Sequence, residues 1–204
     1  MLAGLGRSVG GVLNRSALEV EIGGAGRAIA SETLTNYLEA LGRLTLVEPL
    51  PAWRPHMRSR TRPRASSVHH FVDPSLGTNA LGVGVKDLLN DLHAAGYHFE
   101  SLVLRDLRVY SQALDATLSS WRDSQTGAEV DIVLELPDGS WAAFEIKLGE
   151  AAADAAAASL VNFAGKVDTT YRSDPLALVV ITGGRFAYKR PDGVSVVPIT
   201  ALGP

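Results

Sequence analysis

The spacing of apolar residues changes character near residue 117, from helical before it to alternating after it. Leu2, Leu5, Val9, Val12 and Leu13 recur at helical intervals and predict a first amphipathic helix despite its glycines. Ser16 is placed to cap a second helix through Leu18 and Ile22, with Gly23-Gly24 as its stop. Ser31 is placed to cap a third, with Leu34, Tyr37, Leu38, Leu41 and Leu44 on one face. Short strands follow at Thr45 to Val47 and Val68 to Val72. Helical spacing returns from Ser75 to Ala95, is broken at Gly96, and resumes from Phe99 to Ala116.

After Thr117 the alternation predicts six strands: Thr117 to Arg122, Ala128 to Leu136, Ser140 to Leu148, Leu176 to Thr182, Phe186 to Lys189 and Val194 to Ile199. An alanine-rich helix from about Glu150 to Lys166 separates the third strand from the fourth. The layout is helical first and mixed α/β afterwards, with a boundary expected near Pro74, giving modules 1–74 and 75–204.

Within the first module the composition changes sharply between Trp53 and Val72. Arg54, Arg58, Arg60, Arg62 and Arg64 crowd together, and no acid lies between Glu48 and Asp73. Three helices and a strand pair with a basic tip outline a winged helix-turn-helix, the tip being the wing. On an extended segment, Arg58, Arg60, Arg62 and Arg64 alternate to one side and could track phosphates; a solvated loop, or a surface for an acidic partner, is the alternative. The third helix offers Glu32, Asn36, Glu39 and Arg43 outward, which is not a basic reading surface. His69 and His70 are adjacent on a strand and point to opposite faces, so they do not bind a metal together.

The 204 residues are 46% hydrophobic and 20% charged, the balance of a globular protein with an adequate core. The net charge of −3 supplies no global positive field, so nucleic-acid binding would need a local patch. There is no cysteine, which excludes disulfides and thiolate metal sites and suits a reducing cytoplasm. No apolar stretch reaches membrane-spanning length, and the glycine-interrupted opening does not read as a signal peptide. A cytoplasmic protein without a membrane partner is expected.

The candidate chemistry lies in Glu129-Val-Asp131 and Glu145-Ile-Lys147, joined by a hairpin at Pro137-Asp138-Gly139. Alternation puts Ala128, Val130, Ile132 and Leu134 on one face, with Glu129, Asp131 and Glu135 on the other. A three-residue loop pairs Leu136 with Ser140, and counting inward then opposes Asp131 to Glu145 and Glu129 to Lys147. Directly opposed carboxylates have Cβ atoms roughly 4.5–5.5 Å apart and repel. They are tolerated when a cation lies between them, a proton is shared or a basic neighbour compensates. Mg²⁺ suits such a pair because it takes oxygen ligands and keeps several waters. Lys147 reaches the same side, where its ammonium could orient a water or stabilise charge on a phosphate.

Asp131 followed by Glu145-Ile146-Lys147 resembles the D…(D/E)-x-K core of the PD-(D/E)XK nucleases. More narrowly, Phe99-Glu100-Ser101-Leu102-Val103, Trp121-Arg122-Asp123, Glu129-Val130-Asp131 and Glu145-Ile146-Lys147-Leu148 resemble the uncharacterised domain C-terminal to AAA-type ATPases of bacteria and archaea. Leu50-Pro51-Ala52-Trp53-Arg54-Pro55 and His70-Phe71-Val72-Asp73-Pro74-Ser75-Leu76 are similar to that family's hairpin and following helix, so the resemblance runs along nearly the whole chain. It implies a PD-(D/E)XK restriction-endonuclease-like mixed sheet flanked by helices (an α+β fold) after a winged-helix-like module. It further implies Asp131 and Glu145 as ligands of Mg²⁺ or Mn²⁺, Lys147 as the catalytic lysine and Glu100 as an additional acid near the metal. The expected activity is hydrolysis of a nucleic-acid phosphodiester, most readily DNA. The competing expectation is a non-catalytic DNA- or protein-binding appendage of an ATPase, because a motif does not prove turnover. No G-x-x-x-x-G-K-[ST] sequence occurs, so ATP binding is not expected of these residues.

Overall fold

A computed structural model of the protein describes residues 1–11, 13–54, 68–123 and 125–203. Arg58, Arg60, Arg62 and Arg64 of the expected basic tip lie outside the described residues. The chain divides into two compact units that interleave along the sequence, Met1–Leu50 with Ser66–Leu102, and Pro51–Ala65 with Val103–Pro204.

In the first unit α1 (Leu2–Arg7), α2 (Arg15–Gly23) and α3 (Ser31–Arg43) precede an antiparallel ribbon of β1 (Val47–Leu50) and β2 (Val68–Phe71). Helix α1 is shorter than its apolar spacing predicts. Gly10 takes a positive φ of 74° after Arg7, so Val9 and Leu13 reach the core from non-helical backbone. The cap of α2 is Asn14, whose side chain accepts the N–H of Ala17, rather than Ser16. Ser31 is the first residue of α3 and donates its hydroxyl to Glu19 instead of capping the helix. The small core joins Leu5, Val9, Leu13, Leu18, Leu34, Val47 and Phe71, with Leu38 and Leu41 half-buried against it. Tyr37, expected on the inner face of α3, is exposed. Asp73 caps α4 (Pro74–Leu81) by accepting the N–H of Ser75, with Pro74 at the first helical position. Helix α5 (Val85–Asn90) follows.

Helix α6 (Leu92–Gln112) runs straight through Gly96, where a break was expected. A helical glycine costs only about 1 kcal/mol against alanine. A 21-residue helix that buries Val103, Leu104 and Leu107 outweighs that cost.

The second unit is a mixed α+β structure around a six-stranded sheet of order β3-β4-β5-β6-β8-β7. All six strands predicted after Thr117 are present: β3 (Thr117–Arg122), β4 (Glu129–Glu135), β5 (Trp141–Lys147), β6 (Ala177–Thr182), β7 (Tyr188–Lys189) and β8 (Ser195–Pro198). Strands β3, β4 and β5 form an antiparallel meander, β5–β6 and β6–β8 are parallel, and β7 returns antiparallel on β8. The parallel step from β5 to β6 is bridged by α7 (Ala153–Ala164), which packs on the sheet. Its small alanines let the helix lie close: Ala153, Ala156, Ala157, Leu160 and Phe163 are buried against Val133, Trp141, Ala143, Val180 and Val196. Each large apolar side chain so buried contributes roughly 1.5–3 kcal/mol.

Trp53 completes this core from a distant part of the chain. Its ring lies 5.2 Å from Trp141 and 5.7 Å from Phe163, and its Nε1 donates to Glu135 at 2.7 Å. Pro51 to Trp53 runs parallel along β3, with the N–H of Trp53 bonded to the Ser120 carbonyl and the N–H of Ser120 to that of Pro51. The outer edge of β3 is thereby covered. Among the described residues no helix is long and apolar enough to cross a membrane.

Candidate acidic site on the second unit

The hairpin between β4 and β5 has the expected register. The N–H of Leu136 bonds to Ser140, Gly139 sits at φ 84°, and the pairs run from Glu135–Trp141 to Ile132–Phe144. That register carries Asp131 opposite Glu145. The two faces are less regular than simple alternation predicts, because β4 bulges against β3. Ser119 pairs with Val133 and Trp121 with Val130, so Asp131 and Ile132 together oppose Ser120. Val130 consequently joins Val133 in the core under α7, although alternation assigned it to the opposite face from Asp131.

The ladder between β4 and β5 ends just before the bulge, and the carboxylate of Asp131 takes over there. Its Oδ2 accepts the backbone N–H of Ile146 at 2.7 Å and lies 3.3 Å from Lys147 Nζ. Lys147 Nζ is also 2.7 Å from Glu145 Oε2, so one ammonium spans both carboxylates. Glu145 is only 3% exposed, and Ser159 on α7 donates to its Oε1 at 3.4 Å. Burial and the neighbouring Asp131 charge push the Glu145 carboxyl up to about 7, against the pull of Lys147. Burial works against the Lys147 charge, but Asp131 and Glu145 outweigh it and hold the ammonium above its ordinary range. The result is a carboxyl that exchanges a proton near neutrality beside a permanently charged cation.

A family described as a domain of unknown function (DUF4143) matches residues 95–202, just over half of the chain. The chain belongs to the DUF4143 family. A second domain of unknown function (DUF8612) matches residues 1–87. No curated protein matches the chain.

Asp131, Glu145 and Lys147 therefore come together inside the DUF4143 segment. Among the described residues no group of three or more histidine, aspartate or glutamate side chains is placed to hold a metal. Two carboxylates alone suit an ion that keeps most of its water or shares a phosphate, as Mg²⁺ does, and do not suit a fully protein-caged cation.

Glu129, expected opposite Lys147, pairs instead with Arg122 across β3 and β4. Asp123 belongs to a turn, accepting from Gln125 N and Thr126 Oγ1. Glu100 lies in the first unit, its carboxylate 3.9 Å from Nε2 of the buried His70, and its assignment to the acidic site rests on the resemblance alone. Arg54 is exposed directly after the anchored Trp53. Ser159 escaped the sequence analysis. Its one signal there is a hydroxyl in a run of alanines and apolar residues on α7, three residues after Ala156 and one before Leu160.

Proposed function

We propose that the second unit is a metal-dependent phosphodiesterase acting on nucleic acid, built on a sheet of the PD-(D/E)XK kind. The observation that carries this reading is the meeting of Asp131 and Glu145 over a single lysine, at the bulged end of two central strands. In this reading Asp131 and Glu145 hold one Mg²⁺ or Mn²⁺. The ion supplies charge stabilisation at the phosphate and lowers the pKa of a bound water. Glu145 gives up its proton when the ion binds, since a ligand carboxylate must be ionised. Lys147, released from its double ion pair, donates to the attacking water or to a non-bridging phosphate oxygen. The arginines from Arg54 to Arg64 supply the local positive charge that the net charge of −3 does not.

The test is cleavage of labelled single-stranded DNA, duplex DNA and RNA with Mg²⁺ or Mn²⁺, by the wild type and by Asp131→Asn and Lys147→Met. Both substitutions should abolish cleavage, and full activity in Asp131→Asn overturns the reading.

One observation favours a second reading, a non-catalytic DNA- or protein-binding module of an AAA-type ATPase. Lys147 already contacts both carboxylates and a proton on Glu145 completes the charge balance, so the cluster is self-sufficient as a structural network. Salt-sensitive DNA binding without metal binding at Asp131 and Glu145 is the outcome that selects it.

A further inference from the structure

Beside the acidic site the surface opens into a cleft of about 620 Å³ between α7 and the β3–β4 edge, within the range of about 300–1,000 Å³ typical of small-ligand sites. Its lining includes Trp121, Glu129, Ser159, Asn162, Phe163 and Lys166. Ser159 is shared with the acidic site, since its hydroxyl also reaches Glu145.

We propose that this cleft holds an unpaired nucleobase of the nucleic-acid strand whose phosphate meets Asp131, Glu145 and Lys147. The inference rests on the phosphodiesterase reading for the neighbouring phosphate, but not for the cleft's own chemistry. Trp121 is half-buried with Phe163 behind it, ring centroids 4.7 Å apart, which makes a stiff aromatic wall. Lys166 Nζ lies over that ring, 5.6 Å from its centre, so an ammonium caps the wall and a base stacking there must move it aside. The Asn162 amide on the exposed side of α7 offers both donor and acceptor to a base edge. Glu129, the acid on the lining, is paired with Arg122 and so does not repel a strand, while Lys166 is shared with Asp123 at 3.7 Å. An aromatic face with a cation and an amide is the chemistry of base stacking on a single strand; paired bases within a duplex do not present that face.

The test compares binding of dT12, U12 and an abasic deoxyribose strand of the same length, by fluorescence anisotropy. Variants are Ala158→Phe, which fills the cleft from an exposed helix position, Trp121→Ala, and Asp131→Asn as a control. Wild type should bind the base-carrying strand roughly fivefold or more tightly than the abasic one. The preference should disappear in Ala158→Phe and Trp121→Ala and survive in Asp131→Asn, and the tighter of dT12 and U12 shows whether a DNA-type or an RNA-type strand fits better. Equal binding of dT12, U12 and the abasic strand overturns the subsite, as does a preference that survives Ala158→Phe. Loss of cleavage in Asp131→Asn alongside equal binding would leave the phosphodiesterase reading standing without the subsite. A base preference in a wild type that cleaves nothing would do the reverse.

Discussion

The carboxylate of Asp131 takes the backbone N–H of Ile146 at 2.7 Å, just beyond the last paired residues of β4 and β5. A side chain thus replaces the main chain at the end of the ladder. This fixes one oxygen of Asp131 to the backbone of the strand carrying Glu145 and Lys147, so the two acids cannot drift apart without losing a charge-assisted bond. Such bonds contribute about 1.5–3 kcal/mol when an ionised group accepts. The bulge at Asp131 and Ile132 brings the carboxylate into this position, and bulges are frequent beside active sites for that reason.

Metal binding should be coupled to proton release from Glu145. Its carboxyl titrates near 7 in the metal-free protein and must ionise to become a ligand. Calorimetric titration of Mn²⁺ at pH 6 should show a heat that varies with the ionisation enthalpy of the buffer, and the affinity should rise between pH 6 and pH 8. Asp131→Ala and Glu145→Ala should each abolish the signal. Retained binding in both variants would place the ion elsewhere.

The same group makes metal-free stability depend on pH. Glu145 has a folded pKa of about 7 against an ordinary 4.5, so the folded state holds its proton more tightly than the unfolded chain. The stability this confers is present in full below pH 4.5 and is lost as pH rises through 7. The full swing is on the order of 3 kcal/mol. Glu145→Gln removes that titration. Denaturant melts in EDTA should therefore show the variant gaining on the wild type from pH 5 to pH 8. A constant difference would mean that Lys147 alone sets the ionisation of Glu145.

How much of this was legible in sequence depends on whether the cause is local. Pro137-Asp138-Gly139 determines its own loop length, and the loop length determines the opposition of Asp131 to Glu145, so that register could be counted in advance. The bulge could not be counted, because an extra residue on β4 is defined against β3. Its one trace is the run of three consecutive apolar residues, Ile132-Val133-Leu134, in an otherwise alternating strand. Gly96 misled because a glycine marks a break only where the rest of the helix is marginal. Ser159 was hidden because its partner, Glu145, is on another element, and nothing in an alanine-rich helix says what faces it.

Trp53 should be the most costly single residue to remove among those contributed from outside the sheet and α7. It is 5% exposed, stacks near Trp141 and Phe163, and bonds Glu135, which Arg172 also grips at 2.7 Å. Trp53→Ala should destabilise by about 3–5 kcal/mol. Trp53→Phe keeps an aromatic ring and leaves Glu135 with Arg172, so about 1–2 kcal/mol is expected. Chemical denaturation checks both, and similar losses in the two variants would show that the Nε1 bond rather than the ring is what matters.

The arginine segment should reveal itself through salt rather than through affinity at one condition. Each phosphate neutralised by an arginine releases condensed counterions, giving a slope of log affinity against log salt of about −0.9 per contact on duplex DNA and about −0.7 on single strands. Replacing Arg58, Arg60, Arg62 and Arg64 with alanine should flatten the slope by up to roughly 3 units if all four touch phosphates. Because the net charge is −3, little other positive field remains to compensate. Binding measured across 50–300 mM salt, in wild type and quadruple variant, separates this from a loss of fold, which would remove binding at every salt concentration. An unchanged slope would leave a solvated loop or a surface for an acidic partner, and a pull-down with an acidic peptide would then separate the two.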